Sequence, residues 1–253
     1  MDIEIIPCLK DNYSYLIKDN QSDTIAIIDP SEFGPCDKKI DQKYKKLDFI
    51  LNTHHHFDHI GGNTELKKKY GSKVLGFEKD KNRIPEIDIL LKDNQEFRIG
   101  NLNFKTIFIP GHTSGHISFY FEKEKVIFTG DTLFSLGCGR VFEGTCQQMF
   151  DSLKKIKNLP KDTNIYCGHE YTKNNLEFCL EFNPKNEYLK NKKKIIEAKI
   201  KNNKPTIPST IKDEIQTNIF LRYDDLNVKD TLNLKKASDL EIFTKLRDLK
   251  DNF

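Results

Sequence analysis

The first two thirds of the chain consist of short apolar runs separated by turn signals. The runs are rich in Ile, Phe and Tyr, and they have the length and composition of β-strands. The predicted strands cover residues 3–6, 13–17, 24–28, 48–51, 73–77, 102–109, 116–121, 125–128 and 163–167. Helical patterns lie between them, notably at 64–70 and 145–158. This part of the chain is therefore predicted to have a sheet-based core of mixed α and β class.

The pattern changes after Glu170. Apolar positions now recur three or four residues apart among helix-forming residues, and strand-like runs nearly vanish. The predicted helices cover residues 176–182, 187–202 and 238–249, with a proline-containing loop at 203–209. We therefore predict a mixed domain at 1–170 and a helical domain at 171–253.

Charge and cysteine usage narrow the class of protein. Residues 171–253 carry 17 Lys and Arg against 13 Asp and Glu, but the acids are interspersed and no aromatic-basic motif occurs. A solvated helical surface is favoured over nucleic-acid binding. The six cysteines show no close pairing and are interpreted as reduced thiols. Residues 1–17 lack a basic segment followed by an apolar run, so we expect a cytoplasmic protein without a membrane anchor.

All seven histidines fall in three short segments. These segments read THHHFDH at 53–59, GHTSGH at 111–116 and CGHE at 167–170. Each lies just after an apolar run, as does the TGDT segment at 129–132. Loops at strand ends can bring ligands from distant parts of a chain to one rim of a sheet. The pattern therefore predicts one polar site built from four loops.

The chemistry of this site is that of divalent metal binding. Imidazole nitrogen and carboxylate oxygen are ligands that zinc and similar ions favour. The HxHxDH run from His54 to His59 places four such ligands in six residues. One ion cannot easily accept all four from neighbouring side chains, which favours two ions that share a carboxylate.

The four segments, in this order, resemble the metal-binding signature of the metallo-β-lactamase superfamily. Four further segments resemble the glyoxalase II family: GCGR at 137–140, EGT at 143–145, IPST at 207–210 and RDLKDNF at 247–253. The resemblance covers essentially the whole chain. It implies an α+β fold, with an αββα sandwich as the catalytic domain at 1–170. The small helical domain at 171–253 would then bind substrate.

The resemblance also implies a ligand set. His54, His56 and His112 would hold the first ion, Asp58, His59 and His169 the second, and Asp131 would bridge them. Among these, Asp58, His59 and Asp131 are predicted to be catalytic. Zinc is favoured for both ions, with iron and manganese as alternatives. His55 and His116 are interpreted as non-ligands, with a structural or hydrogen-bonding role for His116.

The implied reaction is hydrolysis of glutathione thioesters, with S-D-lactoylglutathione and related 2-hydroxyacyl thioesters as substrates, in methylglyoxal detoxification. The pKa of a thiol is near 8.5, so a thiolate can leave without protonation by a dedicated general acid. By resemblance, the substrate would contact Arg140, Phe142, Tyr171, Arg247 and Lys250. Arg140 stands where the family usually has lysine, and Phe142 where tyrosine is common, which alters donor geometry and removes a hydroxyl. We expect a monomer that binds no nucleic acid.

Two alternatives stay open. A glutathione-persulfide dioxygenase with one iron would explain the HxHxDH run, but it explains the GCGR loop and the basic C-terminal ending less well. A non-catalytic protein whose helical domain binds nucleic acid would explain the lysine excess, but an intact set of seven ligands argues against it.

Overall fold

The computed structural model describes residues 1–253 and contains two compact units. The first comprises Met1–Phe108 and Ser114–Gly130, and the second comprises Ile109–Thr113 and Asp131–Phe253. No helix combines the length and the apolar character that crossing a membrane requires.

The first unit contains a six-stranded sheet in which the strands follow in chain order. Its strands are β1 (Asp2–Cys8), β2 (Asn12–Lys18), β3 (Ile25–Ile28), β4 (Phe49–Leu51), β5 (Lys73–Phe77) and β6 (Ile87–Leu91). β1, β2 and β3 pair antiparallel, and β3 to β6 pair parallel. The same unit contains the antiparallel strands β7 (Glu96–Ile99), β8 (Leu102–Phe108), β9 (Ile117–Phe121) and β10 (Val126–Gly130), each paired with the next.

The core of the first unit has two layers of apolar contacts. Between the two sheets, the Tyr15 and Phe128 rings lie 5.2 Å apart and the Phe77 and Phe108 rings 4.9 Å apart. Three helices belong to this unit: α1 (Phe33–Lys43), α2 (Phe57–Ile60) and α3 (Asn63–Tyr70). Ile40 of α1 and Leu66 of α3 join a buried cluster with residues of the first sheet. The helix, sheet and sheet layers of the predicted sandwich are therefore present in this unit.

The second unit is mainly helical. Its strands are β11 (Leu133–Phe134), β12 (Gly137–Cys138), β13 (Asn164–Cys167) and β14 (Ser209–Thr210). Its helices are α4 (Cys146–Lys157), α5 (Thr172–Phe182), α6 (Glu187–Lys201), α7 (Ile211–Thr217), α8 (Leu226–Thr231) and α9 (Asp239–Asp251). Aromatic pairs contribute to its core. The ring centroids of Phe178 and Phe220 are 5.8 Å apart, and those of Phe150 and Phe243 are 5.6 Å apart.

The predicted elements are confirmed, with shifts of a few residues at their ends. The predicted starts at 145 and 238 fall on capping residues, because Thr145 and Ser238 form capping boxes with Gln148 and Glu241. The predicted loop at 203–209 was one residue too long, since Ser209 begins β14. The sequence interpretation missed α1, α2, β6, β7, α7, α8 and the two-residue strands.

Candidate metal centre

The HxHxDH run of the first unit begins three residues after the end of β4 and continues into α2. The imidazole ring of His54 lies 4.8 Å from that of His56 and 4.2 Å from that of His59, measured between centroids. His59 Nε2 lies 3.7 Å from the nearer carboxylate oxygen of Asp58. Both residues belong to α2, whose single turn brings the two side chains together. The four ligands predicted in this loop therefore form one group.

Asp29, directly after β3, organises this group. Its Oδ1 accepts a hydrogen bond from the Thr53 amide at 2.8 Å, and its Oδ2 accepts one from the Thr53 hydroxyl at 2.6 Å. The same Oδ2 lies 3.0 Å from His59 Nδ1. A carboxylate on one ring nitrogen fixes the orientation of a ligating histidine and directs the other nitrogen to the ion. Sequence reasoning missed Asp29, although it is a buried acid at the end of a predicted strand.

Asn12 has a comparable role for Asp58. Its side-chain amide donates to the Asp58 backbone carbonyl at 3.0 Å and to the Asp58 carboxylate at 2.9 Å.

Gly130 lies beside Thr53. Its φ is +46°, and a Cβ at this position would approach the Thr53 hydroxyl to 2.4 Å, so the absence of a side chain leaves room for that hydroxyl.

His55 and His116 take part in other contacts. The His55 Nδ1 atom lies 3.3 Å from the buried Asp80 carboxylate, which also pairs with Arg83. The His116 ring is buried and stacks on that of His54, with centroids 4.5 Å apart. His116 therefore packs directly against a predicted ligand.

The second unit contains the other three predicted ligands. Asp131 Oδ2 lies 3.2 Å from His169 Nε2 and 3.5 Å from His112 Nε2, and all three residues are buried. His112 Nδ1 lies 2.9 Å from the backbone carbonyl of Arg140. A carbonyl oxygen only accepts, so Nδ1 carries a proton, and Nε2 is the ring nitrogen that faces Asp131. One carboxylate oxygen is thus shared between two imidazoles that can each bind an ion.

The five predicted substrate contacts also lie in the second unit, with unequal exposure. The Phe142 side chain is exposed and its ring is 5.2 Å from that of His112. The Tyr171 ring stacks on the His169 ring, with centroids 4.6 Å apart and an angle of 5° between the ring planes. Arg140 Nε is 3.6 Å from the Asp251 carboxylate, and the Arg140 side chain is largely exposed. Phe142 and Tyr171 therefore contact predicted ligands of the second unit, whereas the Arg140 side chain contacts Asp251.

Arg247 and Lys250 lie on α9. The guanidinium of Arg247 is buried, donates to the Cys138 carbonyl at 2.8 Å and pairs with Asp251 at 2.9 Å. The ammonium of Lys250 donates to the side chain and backbone carbonyl of Asn174. Burial, with a smaller effect of the Arg247 charge, lowers the pKa of Lys250 to about 8.

A second group missed from the sequence supports the β11–β12 hairpin. The buried Glu214 carboxylate accepts from the Leu136 amide at 2.7 Å and from the Asn218 side chain at 3.0 Å. Asn218 also donates to the carbonyl of Gly137 at 3.0 Å. Burial raises the pKa of Glu214. The hairpin leads directly to Arg140, so these buried groups support a predicted substrate contact.

The fold and both ligand groups define a protein of the metallo-β-lactamase superfamily, whose family model matches residues 10–169. A model described as the hydroxyacylglutathione hydrolase C-terminus matches residues 170–253. The chain is 55% identical to the hydroxyacylglutathione hydrolase of Pelagibacter ubique over the full length of both proteins. It is 42% identical to that of Methylococcus capsulatus, over 100% of this chain and 99% of the relative. The chain belongs to the hydroxyacylglutathione hydrolase family.

The likeness to solved structures supports the same fold. The crystal structure of ETHE1 from Myxococcus xanthus superposes with a TM-score of 0.70 at 24% identity, covering 98% of this chain and 90% of that one. The family and fold predicted from the motifs are thus confirmed. The individual ligand and substrate contacts stay predictions.

Proposed function

We propose that the protein is a metal-dependent hydrolase that cleaves S-D-lactoylglutathione and related 2-hydroxyacyl thioesters of glutathione, releasing glutathione and the acid. Such a reaction would complete methylglyoxal detoxification. The observation that carries this proposal is identity of 42–55% to curated hydroxyacylglutathione hydrolases over the whole chain. It is supported by the buried Asp131 carboxylate between His112 and His169.

The proposed metal ligands are those named from the sequence. His54, His56 and His112 would hold one ion, Asp58, His59 and His169 the other, and Asp131 both. The donor set suits divalent ions, because it consists of imidazoles and carboxylates. When bound, the two ions would supply hydroxide at neutral pH and polarise the thioester carbonyl. We propose zinc as the resident metal.

The chain's own residues orient these donors. Asp29 accepts from His59 Nδ1, and the Arg140 carbonyl accepts from His112 Nδ1, so in both rings Nε2 is the nitrogen that would bind an ion. Asn12 fixes the Asp58 carboxylate. Each contact removes rotational freedom from a ligand before metal or substrate binds.

Residues of the second unit would bind the glutathione part of the substrate. Its carboxylates match the cationic side chains of Arg140 and Lys250, which can make charge-assisted hydrogen bonds. Arg247 is a third proposed contact, and its buried hydrogen bond to the Cys138 carbonyl also holds the hairpin that leads to Arg140. Phe142 and Tyr171 would offer ring faces beside His112 and His169. We propose the helical segment 171–253 as the substrate-binding domain.

The decisive experiment combines an assay of S-D-lactoylglutathione hydrolysis with elemental analysis of the purified protein. We expect turnover and about two divalent ions per chain. Asp131→Asn should lose metal and activity together, because one carboxylate serves both proposed ions. The matched control is Asp151→Asn, which alters an exposed acid on α4.

Two other results would replace the proposal. About one iron per chain with oxygen uptake on glutathione persulfide would indicate a dioxygenase. A metal-loaded protein that hydrolyses no thioester but binds RNA with a steep salt dependence would be a nucleic-acid-binding protein.

A further inference from the structure

Two cysteines of the first unit lie side by side in its buried core. Cys8 is the last residue of β1, and Cys36 lies in the first turn of α1. Their sulfur atoms are 3.8 Å apart, within hydrogen-bonding distance for thiols. Cys36 is fully buried, whereas 4% of the Cys8 surface is exposed. Two thiols 28 positions apart in sequence are therefore in direct non-bonded contact.

The segments that carry the two thiols are held together independently of them. The Leu9 amide, which follows Cys8, donates to the Glu32 carboxylate at 2.7 Å. Glu32 is the residue that precedes α1. A disulfide requires a sulfur–sulfur distance of about 2.05 Å, so the two sulfurs must approach by roughly 1.8 Å. The turn after Cys8 is exposed at Leu9 and Lys10, so it can accommodate a movement of this size.

The two thiols are also chemically unequal. The hydrogen bond from Cys36 lowers the pKa of Cys8, with a smaller opposing effect of burial. Contact with Cys8, together with burial, raises the pKa of Cys36. Cys8 is thus the better nucleophile and Cys36 the partner that resolves its oxidised form. By contrast, burial raises the pKa of Cys138 to about 11 and the pKa values of Cys167 and Cys179 to about 12.

We propose that Cys8 and Cys36 form a reversible disulfide when the protein meets a hydroperoxide. The Cys8 thiolate attacks one peroxide oxygen, the O–O bond breaks, and a sulfenic acid forms on Cys8 as the other oxygen leaves as water or alcohol after taking up a proton. The Cys36 sulfur then attacks the Cys8 sulfur, the S–O bond breaks, and a second water leaves with the Cys36 proton. Two thiols and one hydroperoxide thus give one disulfide, one water and one further water or alcohol.

The test uses the zinc-loaded full chain and hydrogen peroxide. After oxidation, free thiols are blocked with iodoacetamide in denaturant, and the protein is digested with trypsin without reduction. We expect the peptide of residues 1–10 linked to that of residues 19–38, with both cysteines lost from the alkylated fraction. Dithiothreitol should restore both alkylated peptides.

Variants keep the test specific. Cys146→Ser removes the most exposed thiol and should leave the linked peptide unchanged. Cys8→Ser should abolish it and leave Cys36 alkylatable. If Cys8 and Cys36 in the native chain stay alkylatable at peroxide concentrations that oxidise Cys146, or if Cys8 accumulates as sulfinic acid without the link, the pair is not a disulfide site. These readouts do not depend on thioesterase activity, so the proposed function and this inference can fail separately.

Discussion

Replacement of Asp29 by Asn tests whether this buried carboxylate positions His59 for metal binding. Asp29 accepts three hydrogen bonds, two from Thr53 and one from His59 Nδ1, and it is 2% exposed. In the variant, one oxygen can still accept from the Thr53 amide. The other oxygen becomes an NH₂ group that faces two donors. The Thr53 hydroxyl can rotate to accept from this group, but the protonated His59 Nδ1 cannot.

The loss can be estimated from these contacts. One charge-assisted hydrogen bond disappears and one buried donor is left opposite another, which costs about 1.5–3 kcal/mol of unfolding free energy. For a chain of this size, that corresponds to a fall in Tm of roughly 3–12 °C. Because His59 loses the group that fixes its ring, affinity for the ion it would hold should fall roughly 10–100-fold.

Zinc affinity is measured by competition with a chromophoric chelator, and stability is measured by thermal unfolding of the metal-free chain. The matched control is Asp48→Asn, since Asp48 also accepts a backbone hydrogen bond, from the Ile25 amide at 2.8 Å. It should lower Tm without changing zinc affinity. If Asp29→Asn loses stability but binds both zinc ions as tightly as the parent chain, the carboxylate supports only the fold and the positioning argument fails.

Three further predictions follow from the second unit. Burial raises the pKa of Glu214 above the unfolded value of 4.5. The carboxyl therefore stays protonated to a higher pH in the folded chain than in the unfolded chain. As pH rises through the folded pKa, ionisation of this buried group lowers the free energy of unfolding. The Tm of Glu214→Gln minus that of the parent chain should therefore be larger at pH 8 than at pH 4.5, and a constant difference would contradict burial as the cause. Lys250, with a pKa of about 8, should be charged at pH 7 and neutral at pH 9. The parent KM for S-D-lactoylglutathione should rise over that interval, whereas Lys250→Gln should have a KM raised several-fold that changes less with pH. Arg247→Ala removes the buried bond to the Cys138 carbonyl and the pair with Asp251, and it should lower the unfolding free energy by about 2–4 kcal/mol as well as raise KM. Urea unfolding measures the effect on stability, and steady-state kinetics measures the effect on KM. An unchanged free energy of unfolding would refute the stabilising role of Arg247.

The elements that the sequence predicted are those whose pattern depends on local physics. β5 is a run in which four of five residues are buried, and α4 has a capping box at its start. α1 was missed because Gly34 and Pro35 disfavour helices in general. In the structure, Pro35 lies in the first turn, where its missing N–H costs no hydrogen bond. The two-residue strands β11 and β12 have no period to detect, and they exist through their pairing.

The sequence by itself determined the family and was enough to propose which residues bind metal, because ligand type and spacing are chemical properties of short segments. Only the tertiary structure showed that Asp29 contacts His59, that Arg247 donates to a backbone carbonyl, and that Cys8 meets Cys36. Contacts between residues far apart in the chain depend on strand register and helix packing. No local pattern encodes these distances, so hydrogen bonds that orient ligands and thiols became visible only once the chain was folded.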